Sequence, residues 1–262
     1  MARSSGGVPV AILAGGRGER LWPETIAVPK PLVPIGGIPV VWHVIEGFAA
    51  AGCRGFAIAL GHRGAAIKAA IDQRVRLDGD VAVEPGGTTR PLSPRRDLAI
   101  RLIETGEKAE TGARLRRLRA HLDGDRAIVA YADGLADLDV ARLLAFHRRH
   151  GRLATVVAVP RPERFGRLAI EGDRLAAFVE KQAAPEDWIS AGFFILERAV
   201  LDRLPARATL SLEREVLPSL VAAGEASAYR HNGFWQCMDM PAERQRLEAL
   251  WQTGRPPWRR PS

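Results

Sequence analysis

The sequence predicts an α/β protein with a mixed, mostly parallel sheet flanked by helices, and two observations carry this prediction. Short apolar runs alternate with amphipathic helical segments through residues 10–150, which is typical of parallel strands joined by crossover helices. After residue 151, apolar runs follow one another directly, which predicts a smaller β-rich part. No internal repeat or break in composition divides the 262 residues, so we expect a single domain, 1–262.

The predicted elements follow in order along the chain. Strands are apolar runs bounded by turn residues, and helices have apolar spacing that stops near a glycine. Before residue 151 we expect strands at 10–13, 55–60, 81–84, 98–103 and 127–131, and helices at 40–51, 65–72, 112–122 and 140–150. Beyond it we expect strands at 154–159, 168–171, 175–180 and 189–196, with a hairpin turn at 171–174. Residues 85–97 predict a proline-rich loop or flap, and 240–262 a helix followed by an extended arm available to pack on another subunit.

Composition and charge narrow the class of protein. The chain is 47% hydrophobic and 26% charged, with no apolar run of membrane-spanning length and no signal-peptide core. Cys53 and Cys237 are the only cysteines, so we expect no disulfide framework and a cytoplasmic location. The net charge is +8, but arginines are scattered among acidic residues and aromatic residues make up only 6%. We therefore expect acidic small ligands as partners, with no nucleic acid and no membrane.

Two basic clusters are predicted to be solvated helix faces. The arginines of 114–119 alternate with leucines at amphipathic spacing. His147 and His150 lie beside Arg148 and Arg149 on a predicted helix and lack the spacing of metal ligands. Both clusters are therefore predicted to be exposed to solvent and to take no part in metal binding or catalysis.

Residues 8–34 carry the strongest functional signal. The predicted strand 10–13 leads into a glycine-rich turn, 14–20, whose backbone N–H groups can approach an anion with no Cβ in the way. Arg20 adds a cation that suits phosphate, and Lys30 lies between two prolines that stiffen its backbone. The turn lacks the third glycine of a dinucleotide fingerprint and the Gly-Lys-Ser/Thr of a Walker loop. An ordinary glycine turn is the alternative, but the two cations favour a polyphosphate site.

Asp133 follows the predicted strand 127–131, at the end of the sheet where α/β proteins bind ligands. Because Gly134 comes next, a simple Asp-Gly turn is one interpretation. The other is a ligand of Mg²⁺, which is usually held by one or two carboxylates together with substrate phosphates. Asp239 is a candidate second carboxylate, although nothing in the sequence pairs it with Asp133. Only four of the 38 basic residues are lysines, and these include Lys30 and Lys181.

Seven motifs occur in a familiar order: LAGGxGxRL at 13–21, PKP at 29–31, TGxRL at 111–115, DG at 133–134, EK at 180–181, GFFxL at 192–196 and FWQxMD at 234–239. This set resembles the sugar-phosphate nucleotidyltransferases, and most of all their glucose-1-phosphate cytidylyltransferase branch. The resemblance runs from residue 10 to residue 258. It implies a Rossmann-like nucleotidyltransferase fold in which the small β-rich part binds the sugar.

The resemblance also implies a reaction and a set of roles. An oxygen of a sugar-1-phosphate attacks the α-phosphate of CTP, with Mg²⁺ as cofactor, and pyrophosphate leaves. Arg20 and Lys30 would be catalytic, and Asp133 and Asp239 would bind the metal. The nucleotide would contact Leu13, Ala14, Gly15, Gly16, Gly18, Glu19, Thr111, Gly112, Arg114 and Ala132, and the sugar phosphate would contact Gly166, Glu180, Lys181, Ser190, Ala191 and Trp235. The chain would divide into a nucleotide-binding half, 8–150, a sugar-phosphate-binding half, 151–240, and a C-terminal helix and arm, 241–262, in a homo-oligomer.

The chain departs from the family's pattern at several positions. Glu19 stands where the family usually has threonine, and Ala132 where it has glycine. The usual Asn-Gly-Gly of the sugar side is Ser190-Ala191-Gly192, and serine is too short to replace the amide's contacts with sugar hydroxyls. The alternatives are another nucleotide, a non-glucose acceptor, or a nucleotide-binding subunit without catalysis.

Overall fold

The structure is a computed structural model that describes residues 7–77, 81–84, 88–91, 98–161, 167–171, 174–179 and 187–259. The strands in this part of the chain are β1 Val10–Leu13, β2 Pro34–Ile35, β3 Ile38–Pro39, β4 Gly55–Leu60, β5 Val81–Glu84, β6 Thr88–Pro91, β7 Ala99–Glu104, β8 Arg126–Tyr131, β9 Gly134–Ala136, β10 Ala154–Pro160, β11 Arg167–Glu171, β12 Arg174–Val179, β13 Trp188–Glu197, β14 Ala226–Arg230 and β15 Trp235–Cys237. The α-helices are α1 Glu24–Ala27, α2 Val40–Ala50, α3 Gly64–Leu77, α4 Thr111–Leu118, α5 Val140–His150, α6 Arg198–Asp202, α7 Leu217–Ala222 and α8 Pro241–Gln252. None of these helices has the length and apolar character needed to cross a membrane.

The main sheet has the strand order β14-β10-β13-β8-β1-β4-β7-β6-β5. The register of each neighbouring pair shows that seven of these nine strands run in one direction and that β13 and β6 run against them. The predicted mixed, mostly parallel sheet is therefore confirmed. Strands β10, β13 and β14 from the second part of the chain continue the sheet begun by β8 and β1, so both parts share it.

Helices cover both faces of this sheet. Side chains alternate along β1, so that Val10 and Ile12 face one core and Ala11 and Leu13 face the other. The first core is closed by apolar residues of α2, α3, α5 and α8. The second is closed by α4, α6 and the segment from residue 210 to α7. The glycine-rich turn leaves β1 between these two layers.

Several predicted elements need correction. The flap predicted at 85–97 contains β6, which pairs with β5 and β7, while 85–87 and 92–97 lie outside the described residues. The hairpin of β11 and β12 is present, and its turn residues 172–173 lie outside the described residues. Strand β14 was not predicted because Ala-Ser-Ala-Tyr-Arg has no apolar alternation. Strand β14 forms by pairing in parallel with β10 at the edge of the main sheet.

The C-terminal arm packs on its own chain as far as residue 259, and its availability to another subunit stays a prediction. Trp258 is only 4% exposed. Its ring meets His43 of α2 edge-on at 5.9 Å and lies 5.7 Å from Phe234. Arg259 adds an ion pair with Glu46 at 3.2 Å. The arm therefore completes the core beside α2.

His147 is a further correction, because it is buried rather than solvated. Its side chain is 1% exposed, and its two ring nitrogens form hydrogen bonds with Thr155 at 2.7 Å and Glu197 at 2.8 Å. His150 bonds the same threonine hydroxyl at 2.7 Å. These partners lie on β10 and β13, so the two histidines of α5 connect the helix to the sheet through hydrogen bonds.

Candidate functional site

The glycine-rich turn is held at both ends by the sheet and by Lys30. The N–H of Ala14 donates to the carbonyl of Ala59 at 3.2 Å, which prolongs the pairing of β1 with β4. Gly18 has a φ of +68°, in the left-handed region that favours glycine. A Cβ atom at Gly18 would lie 2.8 Å from the Cβ of Lys30, so the turn rests directly on the lysine stem. The two cationic motifs of residues 8–34 are thus one structural unit.

Arg114 supports the turn from inside the protein. Its side chain reaches from α4 and donates to the carbonyls of Gly15 at 3.0 Å and Leu60 at 3.1 Å and to the Thr105 hydroxyl at 2.7 Å. The residue is 5% exposed, so the solvated face predicted for 114–119 is wrong at this position. Burial lowers the pKa of the guanidinium, and the neighbouring Arg117 lowers it further. A Cβ on Gly15 would lie 2.1 Å from Nη1 of Arg114, so any larger residue there would displace the guanidinium.

A two-stranded ribbon brings Asp133 and Asp239 together. Strands β9 and β15 pair antiparallel, with Gly134 opposite Cys237; Asp133 directly precedes Gly134, and Asp239 lies two residues after Cys237. The N–H of Met238 donates to the carbonyl of Asp133 at 3.0 Å, which extends the pairing to Asp133 and to the residue before Asp239. Glu243, in the first turn of α8, then accepts the N–H of Asp239 at 2.7 Å and that of the N-cap residue Met240 at 3.0 Å. The pairing that the sequence left open is therefore present.

Four charged side chains meet in front of the glycine-rich turn. The Lys30 ammonium contacts Asp133 Oδ2 and lies 2.5 Å from Asp239 Oδ1. Arg20 contacts the other oxygen of Asp239 at 3.1 Å. Burial alone would lower the pKa of Lys30, but the two carboxylates outweigh it and raise the pKa above its ordinary value. Lys30 is therefore a firmly charged cation between two anions.

These residues line a cavity of about 640 Å³. Its walls include both carboxylates, both cations and every predicted nucleotide-binding residue except Gly112, namely Leu13, Ala14, Gly15, Gly16, Gly18, Glu19, Thr111, Arg114 and Ala132. A Cβ at Gly112 would instead lie 2.8 Å from the Leu210 side chain, so this glycine serves close packing. The unusual Glu19 is 77% exposed and faces Arg17 at 3.6 Å.

Sequence reasoning missed one wall of the cavity, which is lined by Glu110, Tyr131, Ser211, Glu213 and Arg214. The side chain of Ser211 caps the helical turn that follows it, accepting the N–H of Arg214 at 3.1 Å. A serine followed by two glutamates is a signal for a helix start and could have predicted that turn. Its position opposite Thr111 depends on tertiary structure and has no local signal.

The predicted sugar-side residues are only partly described. A bulge in β13 opposite Val157 places Ser190 and Ala191 beside the ribbon. The indole of Trp235 donates to the carbonyl of Ala191 at 2.9 Å, so these two predicted residues are in contact. Ser190 is exposed. Gly166, Glu180 and Lys181 lie outside the described residues.

The donor chemistry of the acidic pair fits a hard cation shared with a substrate. No group of three or more histidine, cysteine or acidic side chains among the described residues is arranged to hold a metal ion. Asp133 and Asp239 nevertheless offer carboxylate oxygens at one point of the cavity wall. Mg²⁺ commonly takes one or two carboxylates and completes its coordination with phosphate oxygens and water. The pair suits that mode of binding.

Comparisons with known proteins identify the family and the fold. A family model described as nucleotidyl transferase matches residues 10–240. A glucose-1-phosphate cytidylyltransferase of Salmonella typhi is 38% identical over 251 residues, which is 95% of this chain and 97% of that protein. A mannose-1-phosphate guanylyltransferase of Mycobacterium tuberculosis is 33% identical over 242 residues, 90% of this chain and 62% of that protein. The crystal structure of HddC from Yersinia pseudotuberculosis has a TM-score of 0.70 at 21% identity, covering 94% of this chain and all of that one, and shows the same fold.

Proposed function

The chain belongs to the nucleotidyl transferase family, and from that premise we propose that it is a Mg²⁺-dependent cytidylyltransferase. It would join CTP to glucose-1-phosphate or a related sugar phosphate, giving a CDP-sugar and pyrophosphate. The observation that carries the proposal is the meeting of Arg20, Lys30, Asp133 and Asp239 in front of the glycine-rich turn. The proposal includes a cytoplasmic location, which rests on the low cysteine content, and a homo-oligomeric state, which rests on the resemblance.

The chemistry is an in-line displacement at the α-phosphorus of CTP. An oxygen of the sugar phosphate forms the new P–O bond as the bond to pyrophosphate breaks, and such transfers depend on positioning and charge neutralisation. The backbone of the glycine-rich turn and Arg20 would hold the β- and γ-phosphates. Lys30, which Pro29 and Pro31 hold in place, would neutralise the α-phosphate as negative charge shifts.

The acidic pair would hold Mg²⁺. When bound, the ion would supply positive charge to the phosphate oxygens of the reacting group. The chain's own contribution is to keep both carboxylates in register, through the β9–β15 ribbon and the hydrogen bond from Asp239 to Glu243. Lys30 balances part of their charge while no substrate is present.

The sugar phosphate would bind where the second half of the chain, 151–240, meets the nucleotide-binding half, 8–150. Ser190, Ala191 and Trp235 would contact the sugar from the bulge and the ribbon. Gly166, Glu180 and Lys181 would complete this site, with Lys181 on the phosphate. Because Ser190 replaces the family's asparagine, the acceptor could be a sugar other than glucose, and the experiment includes such acceptors.

The test measures pyrophosphate release with CTP, UTP, ATP and GTP against a panel of sugar-1-phosphates, with and without EDTA. We expect turnover with CTP that EDTA abolishes. Turnover with GTP and mannose-1-phosphate would show that the nucleotide substrate is GTP and not CTP, an outcome included because a guanylyltransferase is also similar to this chain. Turnover with no pair, together with CTP binding in a calorimeter, would contradict the enzymatic proposal and support a non-catalytic subunit.

A further inference from the structure

The wall of the cavity formed by Thr111, Ser211, Glu213 and Arg214 carries one acidic side chain that the proposed reaction leaves unused. We propose that Glu213 selects nucleotide bases that carry an exocyclic amino group. This inference rests on the proposed function, because it assumes that the base of the nucleotide lies against this wall. It adds a specificity-determining residue that neither the phosphate nor the sugar site requires.

The Glu213 carboxylate is oriented by two hydroxyl groups. Thr111 donates to its Oε2 at 2.6 Å and Ser211 donates to the same oxygen at 3.0 Å. Each hydroxyl is itself fixed, since Thr111 accepts the N–H of Leu212 at 2.9 Å and Ser211 accepts that of Arg214 at 3.1 Å. Both hydroxyl protons are therefore committed to Glu213, and the rotation of the carboxylate is restricted.

The second oxygen of this carboxylate is available to a ligand. Oε1 of Glu213 accepts no hydrogen bond from the part of the chain that the structure describes, and the residue lines the cavity. Two arginines of this region are engaged with other acids, because Arg214 forms an ion pair with Glu110 and Arg207 forms one with Glu215. Glu213 thus presents an oriented acceptor to the cavity.

An oriented carboxylate can only accept hydrogen bonds, and this decides which bases it favours. Cytosine carries an amino donor at its 4-position, and guanine and adenine also carry exocyclic amino groups. Uracil and thymine carry a carbonyl oxygen where cytosine has its amino group, so the carboxylate would repel them there. One side chain would then both attract the accepted class of base and reject the other.

The test compares kcat/KM for CTP, for UTP and for pyrimidin-2-one ribonucleoside triphosphate, which is CTP without its amino group. In the wild type we expect CTP to exceed the analogue roughly 10- to 100-fold, the range for a hydrogen bond to a charged group. In Glu213→Gln, whose amide can also donate, we expect the CTP-to-UTP ratio to fall at least about 10-fold. Glu215→Gln is the matched control, because Glu215 belongs to the same turn but does not line the cavity, and its ratio should stay at the wild-type value.

The outcomes separate this inference from the proposed function. If the wild type prefers CTP and the CTP-to-UTP ratio of kcat/KM is unchanged in Glu213→Gln, the role of Glu213 is refuted, while the proposed cytidylyltransferase activity is supported. If the wild type prefers GTP and the Glu213→Gln variant shifts this preference toward UTP, the role of Glu213 is supported and CTP as the substrate is refuted. Preference for UTP or dTTP would overturn both. If the variant does not fold, equal use of CTP and its amino-free analogue by the wild type would still overturn the role of Glu213.

Discussion

Replacement of Gly18 by alanine tests whether the glycine-rich turn and Lys30 form one unit. The φ of +68° at Gly18 costs an alanine about 1–2 kcal/mol. The new Cβ would also lie 2.8 Å from the Cβ of Lys30, which is closer than two such carbon atoms approach in real structures. Overpacking of this kind typically costs about 1–3 kcal/mol. We expect the two terms together to lower the free energy of unfolding by about 2–5 kcal/mol.

Two other glycines separate these terms. Gly37 has a φ of +75°, but a Cβ there would meet nothing within 4 Å, so Gly37→Ala should show only the conformational cost of about 1–2 kcal/mol. A Cβ at Gly16 also meets nothing, and its φ lies outside the left-handed region, so Gly16→Ala should cost nothing. Urea denaturation of the three variants gives the comparison. A Gly18→Ala protein as stable as Gly37→Ala would refute the contact with Lys30.

Three further substitutions test the site and its supports. Asp133→Asn should lower kcat at least about 100-fold with an unchanged circular dichroism spectrum, because it removes a charged group that the reaction needs; an active variant would contradict the metal role. Arg114→Lys should lower the free energy of unfolding by about 1–3 kcal/mol in urea, since one ammonium cannot satisfy the carbonyls and hydroxyl that the guanidinium binds, and wild-type stability would contradict this. Burial lowers the pKa of His147 despite the opposing effect of Glu197. The unfolded chain therefore takes up the proton first, so the free energy of unfolding should fall as the pH drops below about 6.5, and His147→Gln should flatten that slope by up to about 1.4 kcal/mol per pH unit. An identical slope in the variant would refute the assignment.

The parts of the fold that could be predicted are those whose signal is local. Strand β4 and helix α5 begin and end at the predicted residues, because their apolar spacing is strong and turn residues flank them. Strand β14 has no such signal, and only pairing with β10 makes it a strand. The glycine-rich turn and Asp133 were predictable for the same local reason, since both follow strands that a sequence shows plainly.

The parts that could not be predicted depend on partners far along the chain. Arg114 looked like a surface cation, yet the carbonyls of Gly15 and of Leu60, at the end of β4, replace its hydration shell. His147 looked solvated for the same reason, since Thr155 and Glu197 satisfy its nitrogens inside the protein. Glu213 could not be placed because its position depends on packing against α4. Polar residues are misassigned whenever the groups that satisfy them lie on other elements.

The contact between Lys30 and Asp239 joins residues 209 positions apart. During synthesis, the strands around β1 can pair long before Asp239 leaves the ribosome, so the emerging chain holds its cations and Asp133 without their last partner. The candidate site therefore lacks one of its two carboxylates until residue 239 has been added and β15 has paired with β9.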